Sequence, residues 1–373
     1  MGIIVKEVTS KKDVRVFMDF ANELYKDSPH YVPPMWADEL KQVSKKHNFN
    51  LAYSDQILLL AYRGETPIGR VRGIVNHKFN ETSGYKHLRF DHYDVIDDVK
   101  VTIALFDELV KWGKTKGMTE LNGPIGFNDL DKQGLLIDGF EHDGMLITNY
   151  NHAYYKKHLK KIGLVKDCDW VEYQVMLPEE VNPRLTKIAN RILSRNNIRL
   201  MEFKNKKELR PYLYRIFETY NEAFAPLHGF VELTQDQIDQ YVKQYLPVMN
   251  LDYIKVLVDS DDKVAGFGVL GPSFSDAMRK SKGRLFPFGF IHVLKAMRNP
   301  KVLDMYLVAV RPELQGTGLN SILMSEITKN AIKNGILYAE TGPELENNEK
   351  VQSQWKNYDA KFVRRRRCFI KKI

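Results

Sequence analysis

One segment carries the most specific structural signal in this chain: Asp304-Met-Tyr-Leu-Val-Ala-Val-Arg-Pro-Glu-Leu-Gln-Gly-Thr-Gly-Leu-Asn320. Tyr306–Val310 is a continuous apolar run of β-favouring residues and predicts a buried strand. Pro312 cannot donate to a sheet ladder and ends that strand. After the glycine-bearing turn 315–318, apolar residues at helical spacing predict a helix over 319–334. A strand, a turn and a helix in this order direct free backbone N–H groups at one point, which suits a phosphate or pyrophosphate.

The glycines do not follow the nucleotide-binding patterns G-x-x-x-x-G-K-[ST] or G-x-G-x-x-G. The segment instead resembles the GNAT superfamily of CoA-dependent acyltransferases, which carries a Q/R-x-x-G-x-G/A loop between its fourth strand and third helix. Gln315, Gly318 and the preceding Val310–Leu314 fit this pattern, and Asn320 departs from it. The non-functional alternative is an ordinary connection between a strand and a helix.

The resemblance implies an enzyme that transfers an acyl group directly from acetyl-CoA, or a longer acyl-CoA, to an amine. Backbone N–H groups of 307–309 would then stabilise the oxyanion, and an Asn after the fifth strand would contact the pantetheine arm. The residues expected to bind the cofactor are Leu307, Val308, Ala309, Val310, Gln315, Gly316, Thr317, Gly318, Leu319, Asn320, Asn347 and Asn348.

Three residues are candidates for proton transfer. Glu340 lies on the strand that corresponds to the family's fifth and could accept the amine proton; its alternative role is to cap the following turn. Tyr358 is the nearest match to the family's acidic tyrosine, although Trp355 stands at that residue's usual distance from Asn348; its alternative role is packing. His228 is a loop histidine whose ordinary pKa suits base catalysis, and a polar surface residue is the alternative.

Composition restricts the function classes. The chain has 373 residues, 43% hydrophobic and 28% charged, which favours two globular domains. No apolar run is long enough to span a bilayer, and the N-terminus has no signal-peptide pattern. Two cysteines and histidines without H-E-x-x-H spacing predict no metal site. A cytoplasmic location is therefore expected. The net charge of +9 favours an anionic partner such as CoA, tRNA or a membrane surface, and no specific nucleic acid is expected.

The second half of the chain repeats the element order of the first. The predicted hairpin 254–269 matches the hairpin 57–75, and the helix 319–334 matches a helix over 101–116. A predicted helix over Trp355–Phe362, followed by a strand, matches a helix and strand after residue 154. We therefore expect an α/β (α+β) fold of two tandem GNAT-like lobes, residues 1–180 and 181–373, each a mixed, mostly antiparallel sheet flanked by helices.

The two predicted lobes differ at their phosphate loops. Before the helix 101–116, the first lobe has Asp97 and Asp98 where the second has glycines. Carboxylates there would repel a pyrophosphate, so the first lobe is interpreted as degenerate and acyl-CoA is expected only in the second. Over nearly its full length the chain is similar to a group of bacterial acyltransferase-like proteins of about this length.

Two further segments suggest partners. An insertion in the second lobe, 275–298, interleaves cations with aromatic and aliphatic residues, which indicates peripheral contact with the inner membrane face through 279–297. The alternative is a helix that covers the core. With this insertion the chain resembles bacterial acyl-CoA-dependent ceramide synthases, whose acceptor is a long-chain amino alcohol. Arg364–Arg367 is interpreted as a charged edge strand, or as a contact for the CoA 3′-phosphate or an anionic surface.

Two other functions remain open from the sequence. An aminoacyl-tRNA-dependent transferase of the Fem type also has two such lobes, although the loop 315–320 favours CoA. A non-catalytic acyl-CoA-binding protein is the third possibility, since Asn320 and the uncertain tyrosine both depart from the enzymes' pattern.

Overall fold

The structure is a computed structural model that describes residues 2–181, 189 and 191–373. Its strands are β1 (Ile3–Glu7), β2 (Ser54–Arg63), β3 (Thr66–Asn76), β4 (His87–Val95), β5 (Glu120–Gly123), β6 (Leu135–Asp138), β7 (Val165–Met176), β8 (Arg199–Met201), β9 (Ile254–Val258), β10 (Val264–Pro272), β11 (Val302–Val310), β12 (Tyr338–Thr341), β13 (Glu344–Leu345) and β14 (Ala360–Lys372).

The helices flank this sheet. They are α1 (Lys11–Leu24), α2 (Trp36–Val43), α3 (His77–Ser83), α4 (Val99–Thr115), α5 (Tyr155–Lys161), α6 (Lys206–Phe224), α7 (Gln235–Tyr245), α8 (Ser275–Ser281), α9 (Gly289–Arg298), α10 (Leu319–Lys333) and α11 (Glu349–Gln352). Local sequence explains several of their ends. Ser10 and Asp13 form a capping box at α1, and Thr234 and Gln237 form another at α7.

The strands form one sheet in the order β1-β2-β3-β4-β5-β14-β7-β12-β11-β10-β9-β8, with β6 attached to β14 and β13 to β7. Only β4–β5 and β11–β12 pair in parallel; the other strand pairs among the described residues are antiparallel. The mixed, mostly antiparallel sheet and the repeated lobes agree with the predicted fold class.

The two halves of the chain exchange their last strands, so that each last strand lies against the fifth strand of the other half. β7 pairs with β12, where Gln174 faces Glu340, and β14 pairs with β5, where Ile370 faces Asn122. β7 and β14 also pair with each other along most of their length. Backbone hydrogen bonds therefore join the two lobes. The division at residues 180 and 181 stays a prediction, and part of the predicted connection 178–183 lies outside the described residues.

Each lobe places one long helix against its sheet at a glycine. Gly69 pairs with Val95, the last residue of β4, and a Cβ there would lie 2.8 Å from Val101 of α4. Gly266 pairs with Val310, the last residue of β11, and occupies the matching position under α10. Both glycines let a helix approach the sheet closely, which agrees with the predicted match of the hairpins 57–75 and 254–269.

Two predictions near the exchanged strands are wrong. The predicted helix over Trp355–Phe362 is a short 3₁₀ helix, Ser353–Asn357, because β14 already pairs with β7 from Ala360 onward. β14 is an interior strand, so the edge-strand interpretation of Arg364–Arg367 fails. The first lobe has one helix, α3, between β3 and β4, whereas the second has α8 and α9 between β10 and β11, so part of the insertion has a counterpart in the first lobe and part does not.

The side chains of the four arginines point alternately to the two faces of the sheet, as in any strand, and each already contacts a carboxylate of the protein. Arg364 and Arg366 are buried and both donate to Glu172, while Arg365 and Arg367 face the other side and contact Asp169. The buried pair is therefore neutralised inside the protein and does not face an external anion.

Candidate active site

The two parallel strands of the second lobe diverge after a short common stretch. β11 pairs with β12 only from Val302 to Met305, whereas it pairs with β10 to its end at Val310. Tyr306 has no partner on β10, because Met305 faces Leu270 and Leu307 faces Val269, which is a β-bulge. Beyond Met305, the backbone of β11 therefore has one edge without a strand partner among the described residues.

The glycine loop lies at the far end of this open edge. Gly316 and Gly318 both have left-handed φ values, 80° and 93°, and a Cβ at Gly316 would meet nothing within 4 Å. Gly318 is the N-cap residue of α10 and provides no side-chain hydrogen bond. The first N–H groups of α10 are consequently available to an anion. Thr317 Oγ1 donates to the Leu314 carbonyl at 2.6 Å, which holds the turn.

The corresponding helix of the first lobe begins differently. Asp98 caps α4 by accepting from the Lys100 N–H at 3.0 Å, and it also pairs with Arg63 at 2.6 Å. Asp97 lies 3.2 Å from His158. The carboxylate of Asp98 thus already occupies the helix end that an anion would need.

A large cavity, about 2110 Å³, begins at the glycine loop and extends into the first lobe. Ten of the twelve predicted cofactor-binding residues line it: Leu307, Val308, Ala309, Val310, Gln315, Gly316, Gly318, Leu319, Asn320 and Asn348. Thr317 and the exposed Asn347 do not line it. Of the predicted catalytic residues, Tyr358 and His228 line the cavity and Glu340 does not.

Glu340 is held on the side of β12 away from this cavity. Its Oε2 accepts a hydrogen bond from Arg364, and Asp304 is its register partner on β11. Burial raises the pKa of Asp304 to about 7, with the Glu340 carboxylate as a second cause. Neither carboxyl oxygen of Asp304 has a hydrogen-bond partner among the described residues. The structure therefore pairs Glu340 with a buried arginine and leaves Asp304 as a second buried acid.

Glu344, which the sequence prediction missed, lines the cavity instead. Trp355 Nε1 donates to both of its carboxyl oxygens at 3.0 Å. Burial raises the pKa of Glu344 to about 7. The available sequence signal was its position directly after Gly342-Pro343, where a chain leaving β12 must turn over the open edge of β11.

Two predicted residues lie close to this carboxylate along the chain. Asn348 caps α11 by accepting from the Val351 N–H at 3.3 Å. Tyr358 follows the 3₁₀ helix in extended conformation, with its ring 5.9 Å from that of Trp355. Burial raises the pKa of the Tyr358 phenol, so this group keeps its proton at neutral pH. A phenol and a carboxyl group thus face one cavity, with the Trp355 indole bound to the carboxyl group.

Asn320, the residue that departs from the family pattern, forms a hydrogen bond with a neighbouring element. Its Nδ2 donates to Gln354 Oε1 at 2.5 Å, which connects the first turn of α10 to the 3₁₀ helix 353–357.

His228, on the loop after α6, lies elsewhere on the cavity wall with Nε2 3.3 Å from Asp167 Oδ2. In the first lobe, the cavity reaches Tyr25, Arg70 and Lys132.

Known proteins resemble this chain over most of its length, although no family model matches it. The chain is 24% identical over 380 residues to Protein YghO of Escherichia coli (strain K12), covering 99% of this chain and 95% of that protein. A bacterial ceramide synthase of Caulobacter vibrioides is 22% identical over 291 residues, covering 77% of this chain and 74% of that protein.

Solved structures decide the fold. A tandem GNAT protein from the clavulanic acid biosynthesis pathway superposes on 100% of this chain and 98% of its own, with a TM-score of 0.58 and 12% identity. The fold is that of a tandem GNAT protein. A GCN5-related N-acetyltransferase from Sphaerobacter thermophilus superposes on 99% of this chain and 95% of its own, with a TM-score of 0.52 and 11% identity.

These likenesses confirm the predicted relation to tandem-lobe GNAT proteins at the level of the fold. In the described part of the chain, no helix is both long and apolar enough to cross a membrane.

Proposed function

We propose that this tandem GNAT protein is an acyl-CoA-dependent N-acyltransferase, that acyl-CoA binds only its C-terminal lobe, and that the acceptor is a lipid-like amine. The observation that carries the proposal is the open edge of β11 leading to an α10 N-terminus without a side-chain cap, both on one cavity. The matching end of α4 is filled by Asp98.

The residues present fit the co-substrate. Backbone N–H groups at Gly316–Asn320 would hold the pyrophosphate, and the unpaired edge over 307–309 would hold the pantetheine arm and the carbonyl oxygen. Acyl-CoA supplies the acyl group as a thioester. Asn348 lies on the cavity wall beside this edge, but its side-chain oxygen already caps α11.

Proton handling is assigned to two residues that face the cavity. Glu344, whose pKa is raised to about 7, is suited to take the amine proton directly or through a water molecule. The Tyr358 hydroxyl, protonated at neutral pH, is suited to give a proton to the leaving sulfur. We place Glu340 in a structural role, because Arg364 holds it outside the cavity.

A lipid-like acceptor is supported by the cavity wall. Apolar and aromatic residues of α6 and α7 line it, including Leu213, Ile216, Phe217 and Tyr241. The insertion contributes Leu285 and Val293. The relative named bacterial ceramide synthase gives independent support for an amino-lipid acceptor.

The outer face of the same insertion is exposed. Phe286 and Phe288 are 82% and 72% exposed, and Phe290, Ile291 and Leu294 follow them on α9. Arg279 and Arg284 are paired with Asp143 and Asp19. Four other cations near this face make no ion pair within the described chain: Lys280, Lys282, Lys295 and Arg298. Apolar rings beside unpaired cations suit the surface of an anionic bilayer, so we propose that the insertion docks there and opens the cavity to lipid.

Two assays test these proposals. A matrix of acetyl-, octanoyl- and palmitoyl-CoA against short polar amines and long-chain amino alcohols should give turnover only with the latter acceptors. Turnover with short polar amines alone would restrict the function to a small-molecule acetyltransferase, and activity only with aminoacyl-tRNA would establish the Fem-type alternative.

Vesicle flotation tests the docking surface separately. The wild-type chain should float with vesicles containing anionic lipid, and Phe288→Asp with Phe290→Asp should abolish flotation. The matched control is Phe362→Asp, an equally apolar exposed ring on β14. Wild-type protein that stays at the bottom of the gradient, or a double variant that floats normally, rules the docking out.

A further inference from the structure

Four side chains that can bind a metal meet where β7, β14 and the loop after α6 come together. Ligand atoms of Asp167, His228 and Cys368 all lie within 4.8 Å of one another. The thiol of Cys168 lies beside Cys368 and His228, but it is not within 4.8 Å of all three of these residues' ligand atoms. We infer that these four residues form a structural zinc site, independent of the proposed transferase activity.

The fold creates this cluster through a β-bulge. Arg367 faces Asp169 and Phe369 faces Lys166, so Asp167 and Cys168 together oppose the single residue Cys368. A bulge redirects side chains that would otherwise alternate, and it is a common device next to functional sites. Asp167 and Cys168, although they are neighbours on β7, can therefore both lie next to Cys368 on β14.

The loop that carries His228 is fixed closely against the sheet. Gly229 has a φ of 76°, and a Cβ there would lie 2.3 Å from Ile125. Arg89 Nη2 donates to the Gly229 carbonyl at 3.3 Å. These contacts hold the imidazole above the bulge.

The donor set suits zinc. Thiolate sulfur and imidazole nitrogen are typical zinc ligands, and carboxylate oxygen completes many sites, whereas magnesium and calcium prefer oxygen alone. Four ligands at zinc's bond lengths lie roughly 3–4 Å apart, close to the separation already present. His228 Nε2 is buried and makes no hydrogen bond within the described chain, although Asp167 Oδ2 lies 3.3 Å away. A buried imidazole nitrogen that lies beside a carboxylate and two thiols, without a hydrogen bond of good geometry, suits a shared cation.

Neighbouring residues orient and balance the cluster, as the residues around metal ligands commonly do. Asn122 Nδ2 donates at 2.6 Å to Asp167 Oδ2, the oxygen that lies 3.3 Å from His228 Nε2, and so orients this carboxylate toward the cluster. Zinc with two thiolates and one carboxylate would carry one net negative charge, and the buried cation of Arg89 lies in the same neighbourhood. A closed set of four protein ligands indicates a structural rather than a catalytic site. Such a site would link β7 and β14 to the loop after α6.

Metal analysis of the full-length protein, purified without chelator, tests the inference. We expect about one zinc per chain by mass spectrometry of the elements, and a loss of at least fivefold in Cys368→Ser and in His228→Ala. His142→Ala, at a half-exposed histidine, should keep the wild-type zinc content. Because Cys368 is buried and its variant could fail to fold, Asp167→Asn offers a milder change that should lower zinc occupancy in a folded protein.

Cobalt gives a readout that needs no variant. Adding cobalt to the chelator-treated wild-type chain should produce thiolate-to-cobalt absorption, and adding zinc should abolish it and raise the melting temperature. Less than a tenth of a zinc per chain together with no cobalt absorption overturns the inference. So does a Cys168–Cys368 disulfide, visible as a loss of 2 Da by intact mass without reductant.

Discussion

Single residues decide the chemistry of this site, and Glu344 is the most informative. We expect Glu344→Gln to lower kcat by roughly 100-fold or more while the Kd for CoA stays unchanged, because a base acts in the chemical step. Glu344, with a pKa near 7, must be deprotonated to act. The wild-type kcat/KM should therefore fall about tenfold per pH unit below pH 7, and this acidic limb should disappear in the variant.

The control for this substitution is Glu349→Gln, an exposed glutamate in the first turn of α11 that should keep wild-type kinetics. Stopped assays from pH 5.5 to 8.5 give both profiles. An unchanged acidic limb in Glu344→Gln would remove this carboxyl group from the mechanism.

The sequence predicted the residues of the glycine loop better than the acids. The positions of Gln315–Asn320 follow from local order along the chain, and all of these residues except Thr317 line the cavity. Glu340 was predicted because it lies on the fifth strand of its lobe. Side chains alternate along β12, so Thr341 points into the cavity and its neighbour Glu340 points to the other face of the sheet. Glu344 becomes distinctive only through burial and through Trp355, and neither is visible in a single sequence.

At the scale of elements, the two long helices offer a test of which lobe binds CoA. Gly318→Val should weaken CoA binding by at least 100-fold by calorimetry. A branched side chain at a left-handed φ distorts the loop, and its Cβ would lie only 2.9 Å from the side chain of Ile192.

Gly84→Val is the control for the backbone part of that loss, because Gly84, at the end of α3, also has a left-handed φ, whereas a Cβ there would meet nothing within 4 Å. It should lose stability but keep CoA affinity. Asp98→Asn, which weakens the capping carboxylate of α4, should also bind CoA normally. Altered affinity in Asp98→Asn with normal affinity in Gly318→Val would assign CoA to the first lobe.

The exchanged strands β7 and β14 carry a buried charge cluster that can be tested in the same way. Glu172→Gln should destabilise the protein by roughly 3–5 kcal/mol, because two buried arginines lose their shared carboxylate. Glu346→Gln, which weakens a half-exposed pair with Arg365, should cost less than about 1 kcal/mol. Urea unfolding of both variants gives the comparison, and equal losses would contradict the role assigned to Glu172.

Periodicity predicted most elements of this chain but not their neighbours. The hairpins 57–75 and 254–269 and the helix 319–334 form nearly as expected, since their patterns are local. The failure at Trp355–Phe362 and Arg364–Arg367 has one cause: the strands that pair with β14, which are β5, β6 and β7, lie more than 180 residues earlier in the sequence. The local sequence of a strand does not show which distant strand it will pair with.

At the scale of the whole molecule, the exchange predicts that the halves depend on each other. All strand partners of β7, which are β12, β13 and β14, belong to the second half, and all strand partners of β14, which are β5, β6 and β7, belong to the first. A fragment containing residues 1–181 would expose β7 with neither neighbour, and a fragment containing 182–373 would expose all of β14. Unpaired strands of this length aggregate readily.

We therefore expect either fragment, expressed alone, to be insoluble or to lack a cooperative unfolding transition. Co-expressed, the two should form a one-to-one complex that binds CoA, because each supplies the strand that completes the other's sheet. Size-exclusion chromatography with light scattering, followed by calorimetry with CoA, measures both properties. A fragment 1–181 that is monomeric and unfolds cooperatively by itself would show that its lobe closes without β14, and the exchanged strands would then be an attachment between two independent domains.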